Sequence, residues 1–168
     1  MRVPKIRSLL WYWVPVLIWM TLIFSVSGDA QSMQHSSRII APILRALFPG
    51  ISEHTVSLIV LIARKCAHLT EYAVLAFLFW RARWRPQRDD PRPWSWRETG
   101  FAVLFVALYA ASDEFHQSFV PTREASIHDV FIDTIGATVG MLGLSLLWKF
   151  RARTKKNPVS KWEPRSGI

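Results

Sequence analysis

A chain of 168 residues has room for one compact domain or a small helical membrane bundle. Its apolar share of 51% is gathered into long blocks, which favours a membrane protein over a soluble one, and its one cysteine, Cys66, excludes an intrachain disulfide. The formal charge of +9 would suit nucleic acid, but its confinement to three segments of the chain argues against that partner.

Residues 1–8 carry Arg2, Lys5 and Arg7 ahead of an uncharged apolar block, 9–26. Ser25-Val26-Ser27 would suit a signal peptidase, whereas the length of the block and its tryptophans favour a retained helix. Pro15 is tolerated in a membrane helix, where neighbours satisfy the freed carbonyl. Ser36-Ser37 then predicts a helix cap. Ile39, Ile40, Ile43, Leu44, Leu47 and Phe48 follow at helical spacing opposite Arg38 and Arg45, the pattern of a short amphipathic helix on the outer membrane surface. Pro42 falls in its first turn or kinks it, and Pro49-Gly50 ends it.

Ser52 is placed to cap the second block, 56–80, which as a helix (~37 Å) exceeds a hydrocarbon core of ~30 Å. It carries Arg64, Lys65, His68 and Glu71. Residues 81–98, with three prolines and mixed charge, predict a mobile linker. The third block, 99–120, carries Asp113, Glu114 and His116; the fourth, 127–148, carries Asp129 and Asp133. Ser126-x-x-Asp129 reads as a capping box for that last block. Residues 149–168 predict a disordered basic tail beside anionic lipid. Trp11, Trp80, Trp84 and Trp148 stand at block ends, as interfacial anchors do.

Residues 1–8, 81–98 and 149–168 hold 16 of the 21 lysines and arginines. The alternate segments hold three, Arg38, Arg45 and Arg123. This asymmetry predicts four spans with both termini in the cytoplasm. The fold class is therefore all-α, an integral bundle of four membrane helices with a short outer amphipathic helix.

At a rise of ~1.5 Å per residue, Arg64 and His68 lie ~24 and ~18 Å above Trp80, Asp113 and His116 ~21 and ~25 Å above Thr99, and Asp133 ~24 Å above Lys149. Three helices thus put ionisable groups at one height in the outer half of the membrane. Arg64, His68 and Glu71 share a helix face, bordered by Lys65 and Tyr72. Tyr109, Ser112, Asp113 and His116 share another, with Glu114 a quarter-turn away. Asp129, Asp133, Gly136 and Gly140 share a third, continuing to Gly143, and Gly136-x-x-x-Gly140 permits close helix approach.

Arg64-Lys65-x-x-His68-x-x-Glu71-Tyr72, then Ser112-Asp113-Glu114-x-His116-Gln117-x-Phe119-x-Pro121-x-Arg123, then Asp129 through Gly136 and Gly140 resemble the VanZ-like family of bacterial membrane proteins, named for a member linked to teicoplanin resistance. Phe24-Ser25-x-Ser27 and Ser36-Ser37 extend the resemblance, which covers roughly residues 10–148. Asp133 departs from it, since asparagine is the more usual residue there. The resemblance implies a multi-pass protein of the bacterial cytoplasmic membrane with a cell-envelope role, and no settled reaction.

The polar layer has four readings. Arg64, Lys65, Tyr72, Glu114, Gln117, Arg123 and Asp133 are candidates to bind an anionic ligand at the outer face, a lipid-linked cell-wall precursor, a lipid headgroup or a peptide carboxylate. His68, Glu71, Asp113 and His116 are a candidate acid/base set, and the same four would be the ligands of any metal. Ser112 and Ser118 sit in no recognisable nucleophile elbow, and no cofactor is named by the sequence. Mutual pairing of the acids with Arg64, Lys65 and Arg123 gives a purely structural reading, and Glu71 as a deep protonatable group gives a proton-coupled carrier.

Overall fold

The computed structural model describes residues 6–27, 32–87, 90, 92–119 and 126–156. All regular structure among them is helical: α1 (Ile6–Ser27), α2 (Ser32–Leu47), α3 (Glu53–Trp84), α4 (Trp96–Gln117) and α5 (Ile127–Lys156). Helix α3 is central and packs against each of the other four. Leu9–Val26 in α1 and Ile127–Ala152 in α5 are long and apolar enough to cross a membrane. Arg64, Lys65 and Glu71 interrupt the apolar run of α3, and Asp113, Glu114 and His116 that of α4.

Local chemistry sets the helix ends. Ser52 caps α3, its Oγ accepting the Thr55 N–H at 3.1 Å. The helix runs four residues past the predicted end, to Trp84, where Arg85 adopts φ 48° in the left-handed region, followed by Pro86, and the helix stops. Helix α2 starts at Ser32, so Ser36-Ser37 lies inside it and Pro42 is well past its first turn. Helix α5 continues to Lys156, so the start of the basic tail is helical rather than disordered; the rest lies outside the described residues.

The segment predicted as a mobile linker is packed. Trp94 stacks on Trp80 with ring centres 5.0 Å apart and meets Trp148 at 6.1 Å. Arg92 lies over Trp84 at 4.3 Å, donates to the Trp84 carbonyl at 3.1 Å and to Asp90 Oδ1 at 2.8 Å. Asp90 is held below the usual carboxylate range chiefly by that hydrogen bond from Arg92. Trp80, predicted as an interfacial anchor, is instead 2% exposed and belongs to the core with Tyr72, Leu75, Val106 and Met141. Trp11 does stand outside, at 71%.

Beside that apolar core, the outer surface and one polar cluster are reversed relative to a soluble bundle. Leu104, Leu108, Phe131, Ile135, Val139 and Leu146 face outward, while Asp113, Glu114, Gln117 and Asp133 are buried. Water would favour the opposite arrangement, and apolar surroundings favour this one.

Candidate functional site

The site begins with the α3–α5 crossing. A Cβ added to Gly136 would stand 2.5 Å from the Leu69 carbonyl oxygen and 2.8 Å from its Cα; one added to Gly140 would meet Ala73 Cβ at 2.8 Å. Only hydrogen at these two positions lets the backbones approach so closely. The crossing stops short of Gly143, where an added Cβ would meet nothing within 4 Å. One turn beyond Asp133, toward the start of α5, Lys65 Nζ donates to Asp129 Oδ1 at 2.6 Å and ties the two helices again.

Asp129 is therefore a partner of Lys65, not half of a capping box. The Ser126 N–H that a capping box would give to Asp129 is donated at 2.9 Å to Glu114 Oε2. This bond joins the end of α4 to the residue before α5. Asp113, one position earlier, accepts from Tyr72 Oη at 3.2 Å and from Gln117 Nε2 at 2.9 Å, both on Oδ2.

The buried polar face of α4 is thus Asp113, Glu114 and Gln117, rather than Ser112, Asp113 and His116. Ser112 is exposed, with its hydroxyl on the Tyr109 carbonyl. His116 turns toward α1, where its ring lies 4.2 Å from that of Phe24. Its Nδ1 is buried without a hydrogen-bond partner among the described residues. Two more bonds fasten α1 here: Tyr109 Oη to the Met20 carbonyl at 2.6 Å, and Trp19 Nε1 to the Glu71 carbonyl at 2.9 Å.

Between α3, α4 and α5 lies a cavity of about 170 Å³, lined by Leu61, Arg64, Lys65, His68, Glu114, Gln117, Asp129, Ile132 and Asp133. Six of the eleven candidate residues are in that lining. Asp113 stands behind Gln117, and Glu71 pairs with His68 on their own helix at 3.7 Å, long for a hydrogen bond. His116 is across the bundle, and Arg123 lies outside the described residues. Tyr72 is buried against Asp113 and not in the lining.

His68, Glu71, Asp113 and His116 consequently do not form one acid/base or metal-binding set. No three His, Cys, Asp or Glu side chains converge to hold a metal ion among the described residues. Asp129 was missed as a lining residue. The signal for it was the shared face with Asp133, four residues on, which the capping pattern overrode.

The family described as VanZ/LLP1 matches residues 10–148 of the chain. No curated protein matches, and no solved structure does.

Proposed function

The chain belongs to the VanZ/LLP1 family, and we propose that it is a multi-pass cell-envelope protein of the bacterial cytoplasmic membrane whose cavity binds the anionic end of a lipid-linked or peptide ligand, in a role such as glycopeptide resistance. In this reading α1, α3, α4 and α5 cross the bilayer and α2 lies on its outer face. The 16-to-three division of lysine and arginine between alternate segments supports placing both termini in the cytoplasm. The cavity then faces outward, at the end opposite Trp80 and Trp148.

The observation that carries the reading is the lining itself: Arg64, Lys65 and His68 stand together on one wall of an internal cavity. A guanidinium matches the paired oxygens of phosphate or carboxylate. The volume limits what enters. It is near the ~150 Å³ of a cavity that holds benzene and below the ~300 Å³ at which drug-sized sites begin. Only a terminal group of a larger envelope molecule fits, not a glycopeptide antibiotic as a whole. No Ser, Thr or Cys is among the described lining residues, so the proposal is one of binding.

A structural reading competes, favoured by the Lys65–Asp129 bridge at 2.6 Å between α3 and α5. Calorimetric titration of the purified full chain with inorganic phosphate and with propionate separates the two. Binding that falls at least ~10-fold in Arg64→Ala supports the ligand site. A folded wild-type protein that binds neither anion sinks it and leaves the structural reading.

A further inference from the structure

Asp133 is 4% exposed, lines the cavity, and has no hydrogen-bond or ion-pair partner among the described residues. Its acidic neighbours are each engaged. Asp129 holds Lys65, Glu114 holds the Ser126 N–H, and Asp113 holds Tyr72 and Gln117. The charges that bear on Asp133 are those of Asp129, Glu114, Asp113 and Glu71, all acids. Leaving a buried carboxylate without a donor costs several kcal/mol, roughly, a cost that either a proton or a cation relieves, and of the two only a cation also fills the cavity beside it.

Among the described residues none pairs with Asp133: Lys65 is held by Asp129, and Arg64 and His68 share the cavity lining without bonding to it. A metal ion needs several converging ligands, and no such group exists among the described residues. An ammonium needs only one carboxylate and donates a strong charge-assisted hydrogen bond to it. The cavity that holds Asp133 also holds Arg64, and about 170 Å³ accommodates a headgroup-sized molecule bearing both charges.

We propose that Asp133 receives the ammonium group of a small zwitterionic ligand whose phosphate or carboxylate is held at Arg64. This rests on the anion-binding reading of the same cavity and adds to it the second charge of the ligand.

The test uses the full chain in neutral detergent and four probes in two pairs: O-phosphoethanolamine against inorganic phosphate, and β-alanine against propionate. At least one ammonium compound is expected to bind at least ~10-fold more tightly than its amine-free partner. Asp133→Asn is expected to remove that advantage while leaving the amine-free anion unaffected. An advantage absent from both pairs, or untouched by Asp133→Asn, overturns the ammonium site and leaves the anion site standing. Failure of all four probes to bind overturns both.

Phosphocholine, which carries the positive charge without N–H donors, gives a measurement that needs no variant. If phosphoethanolamine is the preferred probe, phosphocholine is expected to bind no better than inorganic phosphate. Equal binding of phosphocholine and phosphoethanolamine overturns the hydrogen-bonded ammonium. Competition in nanodiscs then names the source. Phosphatidylethanolamine that displaces the soluble probe, where phosphatidylglycerol does not, supports the site as one for a lipid headgroup; a probe displaced by neither supports a water-borne amine.

Discussion

The two ends of the bundle are built from opposite materials. At one end α3, α4 and α5 bury Asp113, Glu114, Gln117 and Asp133 around a cavity. At the other, the same helices bury rings: Trp80 against Trp94 and Trp148, with Phe79 stacked on Phe105 at 4.0 Å. Cations are present at both ends but are used differently. Among the described residues Lys65 meets only the carboxylate of Asp129 at the polar end, while at the aromatic end Arg83 both pairs with Glu98 at 2.7 Å and lies over Phe101 at 4.6 Å, and Lys149 lies over Trp96 at 5.5 Å. Burying charge is costly and burying rings is favourable. The aromatic end is therefore the more favourable to bury, and the polar end the more costly.

The most direct way to break this division is Trp80→Ala. Removing a ring that is 2% exposed should destabilise the fold by ~3–5 kcal/mol. The expected readout is a large fall in Tm, with anion affinity unchanged in the protein that remains folded. A Trp80→Ala protein of wild-type Tm would mean that the aromatic end contributes little to holding the helices together.

Next in size is Gly136→Ala, which sets the join between the two ends. The new methyl would press on the Leu69 backbone, which cannot move as a side-chain tip would. A loss of ~1–3 kcal/mol is expected, together with weaker ligand binding, because α3 and α5 line the cavity jointly. Gly143→Ala is the internal control. It meets open space, so it should change stability by no more than ~1 kcal/mol, in the favourable direction.

Much of this was legible in the sequence. Four apolar blocks became α1, α3, α4 and α5, and Arg64 and His68, one turn apart, both line the cavity. What was not legible depends on which neighbour a face meets. Asp113 and Glu114 are successive residues, about 100° apart on a helix, and His116 lies about 60° from Asp113 on the side away from Glu114. Periodicity gives the faces of α4 but not which one α5 covers. Packing puts Asp113, Glu114 and Gln117 inward and leaves His116 against Phe24. Residues 85–95 were misread for a similar reason. Their prolines and charges look like a linker, and only the meeting of Trp94 with Trp80 and Trp148 packs the described part of the segment against the core.

A smaller effect sharpens the polar end. The Lys65–Asp129 pair is 45% and 39% exposed on its two side chains, so solvent screens it. Lys65→Met should cost no more than ~1 kcal/mol, and that difference should shrink in high salt. A loss several times larger, insensitive to salt, would show that the pair is the main tie between α3 and α5 and would favour the structural reading of the whole site.

The smallest effect concerns α2, which neither end holds directly. Its inner face, Ala41 with Ile40 and Leu44, packs on Val56 and Val60 of α3, and Arg45 grips Glu53 through Nε at 3.0 Å and Nη2 at 2.7 Å. The hydrogen bond from Arg45 is the main cause holding the Glu53 carboxyl below its ordinary range. A carboxyl depressed in the folded state adds stability above its unfolded value and loses it as pH falls through the folded one. Docking of α2 should therefore be constant through neutral pH and loosen only in acid, below the usual glutamate range. Amide hydrogen exchange across Ser32–Leu47 at neutral and acid pH measures this directly. Glu53→Gln should make the exchange of α2 equally fast at both pH values once intrinsic rates are corrected, while exchange around Trp80 stays as in wild type. If α2 in Glu53→Gln still loosens in acid, another carboxylate governs the helix, and the Arg45–Glu53 clasp is incidental to it.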